Sequence, residues 1–159
     1  MAFCIDSQPA VGNHDDVHTS QLNPLGAVRE FSNGNTYIYL KGATSMAAGL
    51  TVVYQPGVWT AALIATTLKG AVAIASAAVD ASTKYGWFLH IGAETITVRT
   101  ACTSNTALFA GGVAGYVDVA GVKGDQILNA HIRNAAGAVG SAQIQLNRAS
   151  VGHSNESVG

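Results

Sequence analysis

His14-Asp15-Asp16-Val17-His18 is the densest run of groups able to do chemistry in this chain. Asp15 or Asp16 can share a cation with His14 or His18, because neutral imidazole and carboxylate oxygen are ordinary metal ligands. The run lacks the helical i, i+4 histidine pair with an intervening general base that a zinc hydrolase needs. A metal also needs a rigid shell, and the residues around this run are those of a solvated arm, so no metal is expected. Cys4 and Cys102 are too few for a four-cysteine zinc site and too far apart for a C-x-x-C motif. They read as free thiols that pair only if the fold brings them together.

Nucleophilic chemistry finds no frame either. Ser76, Ser82 and Ser104 sit in ordinary strand or loop contexts, without the G-x-S-x-G elbow that exposes a serine on a strained turn. His90, in Phe88-Leu89-His90-Ile91, and His131, in Asn129-Ala130-His131-Ile132-Arg133, read as hydrogen-bonded wall or interface residues rather than general bases. The three Glu and six Asp fall mostly in turns or the arm and offer no glycosidase-type pair. Gly111-Gly112-Val113-Ala114-Gly115 lacks the Lys-Ser/Thr of a phosphate loop and leads into strand-like Tyr116-Val117-Asp118-Val119, so it is a turn. Neither catalysis nor a cofactor is expected.

Composition points the same way. The chain has 159 residues, of which 48% are hydrophobic and only 11% charged, against about 25% charged in a typical soluble domain. Length allows one domain, and a surface so poor in charge suits a protein that lives in an assembly. Eight Lys+Arg against nine Asp+Glu give a net charge of −1, which excludes the electrostatic footprint of a nucleic-acid binder. Trp59, Tyr85, Trp87 and Phe88 have only Lys84 close in sequence, so they read as packing residues and not as a base-stacking platform. The apolar stretch from Ala61 to Ala81 is broken by Lys69, Gly70, Thr and Ser, so no membrane span is expected. The start of the chain has no basic or greasy run, so no secretory signal is expected and the protein acts where it is made.

The elements that position these residues read as β. Residues 1–24 have no hydrophobic period and carry Gly12, Asn13, Ser20, Asn23 and two Pro, which marks an extended N-terminal arm. Residues 25–150 form the body and 151–159 a polar tail. Val28 to Phe31 and Thr36 to Lys41 flank Ser32-Asn33-Gly34-Asn35, which predicts a hairpin with a type I′ turn. Leu50 to Tyr54 and Val58 to Leu63 flank Gln55-Pro56-Gly57, a second hairpin. Gly70 to Ser76 alternates Val and Ile with Ala, a strand with one bulky and one small face suited to close approach by another sheet. Further strands are predicted over Trp87 to Ile91, Thr95 to Thr100, Tyr116 to Val119, Gln126 to Ile132 and Gln143 to Asn147. Helix has room only in Ser76 to Lys84 or near Thr103 to Phe109. The fold class is all-β: a single small β-barrel or β-sandwich body of about ten short antiparallel strands, with the N-terminal arm extended from it.

In this order Leu25-Gly26-x-Val28, Gly34-Asn35-x-Tyr37-Ile38-Tyr39-Leu40-Lys41-Gly42, Ala48-Gly49-x-x-Val52-Val53-Tyr54, Tyr85-Gly86-Trp87-Phe88, Gly124-Asp125-Gln126-Ile127-x-x-Ala130 and Gln143-Ile144-Gln145-Leu146 resemble a group of small structural proteins of tailed bacteriophages, the capsid decoration or cement proteins. The resemblance spans roughly Leu25 to Asn147. It implies a β-rich subunit on the outer surface of the virion capsid, present in the host cytoplasm during assembly. Its partners would be the major capsid protein and itself, as a homotrimer bridging neighbouring capsomers. Under that reading Phe3, Ile5, Val11 and Val17 of the arm lie on the capsid or a neighbouring subunit, and Trp59, Tyr85 and Trp87 pack the body or the trimer interface. Two other readings stay open: another virion part such as a head-fibre base, tail tube or baseplate component, or a carbohydrate-binding module with Trp59 and Trp87 as an exposed stacking platform.

Overall fold

A computed structural model describes residues 12–121, 124–134 and 140–152, and their regular structure is entirely β. Eleven strands join in one sheet: β1 (Val17–His18), β2 (Val28–Glu30), β3 (Thr36–Lys41), β4 (Thr51–Tyr54), β5 (Ala62–Leu63), β6 (Gly70–Ala75), β7 (Tyr85–Val98), β8 (Leu108–Ala110), β9 (Val117–Asp118), β10 (Gln126–Ile132) and β11 (Gly140–Val151). The all-β class stands. The two segments with room for helix form turns instead. Val79, within the first of them, is fully buried in the core, and the second closes on a Thr106 N–H to Thr103 carbonyl bond just before β8.

Both expected hairpins form, with turns set by single glycines. Gly34 has φ 77° while Asn33 keeps a negative φ, and the Gly34 N–H bonds back to the Phe31 carbonyl. The connection is therefore a three-residue loop with glycine in the left-handed position, not the type I′ turn, which needs two positive φ values. In the second hairpin Pro56 presets φ and Gly57 takes φ 94°. The returning strand starts only at Ala62 because Trp59, at φ 56°, turns the chain out of the sheet first.

Two strands are long, against the expectation of uniformly short ones. β7 has 14 residues and β11 has 12, and each changes partner along its length. β3 flanks β7 on one side, from Tyr85 to Ile91. On the other side β7 meets β1 at Tyr85 and Gly86, β6 at Phe88 and Leu89, and β11 from Ile91 to Val98. The bend that permits this falls at Gly92, φ 126°. There the Asn35 carboxamide brackets Ala93, donating to its carbonyl at 3.0 Å and accepting from its N–H at 3.1 Å. A Cβ on Gly92 would run into that same carboxamide, so glycine is required. The expected break between two strands at Gly92 is thus a bend within one.

β7, β11, β10, β8 and β9 close a hydrogen-bonded ring, with β9 meeting β7 in parallel at Val98 and Val117. That parallel contact departs from the expected all-antiparallel pairing. One hydrophobic cluster includes Trp87, Leu89, Ile96, Ile127, Ile144 and Leu146. A second includes Ile38, Leu40, Val52, Tyr54 and Phe88. β6 serves both, its Val72 and Ile74 facing the first and Ala73 and Ala75 the second. The small face is met not by another sheet but by a cluster completed by Met46, Ala61 and Val79 from connecting segments.

Candidate binding surface

The described part of the N-terminal arm is docked on its own body. Val17 and His18 pair with Gly86 and Tyr85. The His14 ring stacks on Tyr37, centroids 4.8 Å apart and 9° from parallel, and meets Phe31 edge-on. His18 Nδ1 lies 2.8 Å from the Tyr39 hydroxyl, with both residues buried. That hydroxyl also takes hydrogen bonds from Leu22 and Asn23, which oppose the upward push that burial gives its pKa. His18 Nδ1 and this hydroxyl thus share one buried hydrogen bond. The run read as solvated is therefore a plug over the aromatic end of the core. Among the described residues no three His, Cys, Asp or Glu groups converge as metal ligands.

Of the arm and aromatic residues singled out by the sequence, Val17, Trp59, Tyr85 and Trp87 lie among the described residues. Val17 is partly exposed on β1, while Phe3, Ile5 and Val11 lie outside the described residues, as do Cys4 and residues 153–159 of the tail; Val151, expected at the start of that tail, is instead buried at the end of β11. Trp87 is fully buried and touches Phe31 and Tyr39. Tyr85 packs half-buried against the same cluster. Trp59 lies over Gly26, where a Cβ would meet its ring, and beside Tyr54. Trp87 thus packs the body and cannot stand beside the half-buried Trp59 as an exposed stacking platform. Cys102 is a buried free thiol.

The open surface of the ring is the outer face of β7, β11 and β10. Along β11 the buried residues Ala142, Ile144 and Leu146 alternate with Ser141, Gln143, Gln145 and Asn147. These stand beside Thr97, Thr95, Ala93 and Ile91 of β7 in register, and His131 of β10 pairs with Gln145. Between its two ends the named residues of this face carry hydroxyls and amides, with Ala93, Ile91 and the His131 imidazole among them, and no carboxylate or ammonium group. At one end is a small cleft lined by Gly49, Ser76, Glu94, Thr95, Thr97 and Ser141. Burial pushes the Glu94 carboxyl up, opposed by nearby His14 and by hydrogen bonds from Ser76 and Tyr37.

At the other end three strands exchange partners and leave a groove. β7 passes from Ile74 of β6 to Asn147 of β11 within two residues, and β11 passes from β7 to Ala71 of β6 by Ser150. Opposite, the β10 register slips between Leu128 and Ala130, and Asn129 (φ 58°) and Arg148 (φ 50°) take left-handed backbone. The groove, about 370 Å³, is lined by Pro56, Ala71, Leu128 and Ala149 together with His90 and Arg148. His90 is held by the Tyr54 hydroxyl at 3.2 Å, as expected of a hydrogen-bonded wall residue. Burial first, and Arg148 second, push its pKa down. Sequence reasoning missed this groove. The available signal was Ile127-Leu128: two adjacent large aliphatics in a half-buried strand cannot both face inward, and Leu128 is 46% exposed.

No protein-family model matches the chain, and no curated protein matches its sequence.

Proposed function

We propose that the chain is a phage head decoration protein, which binds the outside of the assembled capsid through the major capsid protein, as a trimer, and stabilises the shell. The observation that carries this reading is the uncharged middle of the outer face of β7 and β11, where Ser141, Gln143 and Gln145 stand beside Thr97, Thr95 and Ala93, set beside the ordered resemblance to decoration proteins. The resembling motifs supply the positions on which this fold depends: Gly26 under Trp59, Gly42 against Val79, Asn35 bracketing Ala93, and Asp125, which pairs with Lys69 at 2.6 Å.

Size explains why such a protein would act as an oligomer. Three strands about 4.8 Å apart and six residues at about 3.3 Å each give a face of only about 200–300 Å². A stable interface takes about 800 Å² from each partner. One face alone is therefore too small, and linked copies touching several capsomers would hold through effective concentration. A ligand that binds the assembled lattice and not free shell subunits stabilises the lattice by mass action. The test is sedimentation of the purified protein with heads assembled without it, beside free shell protein. Saturable binding to heads alone, weakened by Gln145→Lys on the outer face, is expected. Equal binding to free shell protein, or none to heads, would sink the reading. A place elsewhere in the virion, at a head-fibre base, tail tube or baseplate, would show as binding to those parts instead.

A further inference from the structure

The groove at the three-strand junction specifies its own occupant. Its lining is mostly apolar, with His90, Arg148 and Ser150 the polar members, and Leu128 of that lining is 46% exposed. The Arg148 side chain makes no hydrogen bond or ion pair among the described residues, whereas His90 beside it is engaged by Tyr54. The complement is an extended segment with large apolar side chains two residues apart, followed at once by a carboxylate. Alternate side chains of such a segment enter the groove, and the one that follows lies outside it, on the solvent side where a long guanidinium side chain can fold over to meet it. Residues 1–11, outside the described structure, contain that pattern in Phe3-Cys4-Ile5-Asp6.

We propose that the groove receives residues 3–6 of a second copy of this chain, with Phe3 and Ile5 against Leu128 and Ala71 and the Asp6 carboxylate on the Arg148 guanidinium. The two faces of the β3–β7 layer decide between a second copy and the same chain. Gly12, the first described residue, lies beside Asp16 and His18 on the face that carries Tyr37, Tyr39 and Trp87. The groove opens on the other face, with His90 and Tyr54. Ile5 is seven residues from Gly12, a span of at most about 25 Å, and would have to round the sheet edge to reach its own groove. A neighbour's segment meets no such detour. The 370 Å³ volume falls at the low end of the ~300–1,000 Å³ of clefts that hold small ligands.

The test is sedimentation equilibrium of the full-length chain, with near-ultraviolet circular dichroism to confirm folding, and it uses no capsid, so it stands or falls apart from head decoration. Concentration-dependent association is expected. Asp6→Arg and Arg148→Asp should each weaken it by about tenfold or more, the effect of breaking one close charge pair. The Asp6→Arg/Arg148→Asp double variant should recover to within about threefold. A monomer at every concentration, association unchanged by Asp6→Arg, or a natively folded double variant that fails to recover would each overturn the proposal. Should Arg148→Asp fail to fold, Asp6→Arg decides alone, with Ile5→Glu as its apolar counterpart.

Discussion

Replacing Tyr39 with Phe removes one oxygen and leaves the ring, so it isolates what the hydroxyl does for the N-terminal segment. In the native chain that oxygen lies 2.8 Å from His18 Nδ1 and takes the Leu22 N–H at 3.4 Å. Tyr39 is fully buried and His18 only 9% exposed, so water does not replace the lost partner. The long Leu22 bond contributes little, and the larger cost is an imidazole nitrogen buried without a partner, about 1–2 kcal/mol. The loss falls where residues 12–24 lie on the body, and should raise the population of the opened segment by a factor of about 5–30. Hydrogen exchange read by mass spectrometry on peptides covering residues 12–24 measures this directly. Exchange there should accelerate by that factor, while Tyr54→Phe, which removes the hydroxyl facing His90, leaves those peptides unchanged. Unaltered exchange in Tyr39→Phe would refute the assignment of the hydroxyl as the hub that holds the segment.

Three further outcomes follow from the same geometry. The carboxyl of Glu94 is pushed above its ordinary value by burial, so its protonated form is favoured by folding. Its contribution to stability is complete below about pH 4.5 and is lost as pH rises through the folded pKa; Glu94→Gln should raise the melting temperature at pH 7, with the gain fading toward pH 4. Gly34→Ala meets no neighbour within 4 Å and costs only the left-handed backbone, about 1 kcal/mol, whereas Gly42→Ala puts a Cβ on the Val79 carbonyl and should cost about 3 kcal/mol or more, as urea melts would show. Asn35→Ala leaves both polar groups of Ala93 unbracketed at a half-buried bend and should cost about 2 kcal/mol, lowering the melting temperature by roughly 4–8 °C.

The described fold was legible where local chemistry decides it. Gly34, Gly57 and the Val/Ile/Ala alternation from Gly70 placed two hairpins and a two-faced strand, because turn residues and a period of two act over a few positions. The long strands were not legible as such. β7 looks interrupted at Gly92 until Asn35, 58 residues from Ala93, supplies the bracket that carries the strand through its bend. The arm was misjudged for a similar reason. Nothing near His14 or His18 in sequence announces Tyr37 and Tyr39 as their supports, so polar residues destined to plug the core read as solvated. The groove combines both difficulties, since it exists only where β6, β7 and β11 exchange partners, and its sole local mark is the adjacent Ile127 and Leu128.

Removing residues 1–23 would strip His14 and His18 from the aromatic core, whereas a deletion ending at Val11 spares every described contact. Such a truncated chain should keep its native near-ultraviolet circular dichroism and lose the association assigned to Phe3, Ile5 and Asp6.

The most direct test of the central claim is the copy number of this chain in purified phage particles from its source, by quantitative mass spectrometry against the major shell protein. A decoration layer predicts a ratio near unity. A few copies per particle would move the chain to a vertex or tail, and its absence from the particles would contradict the account.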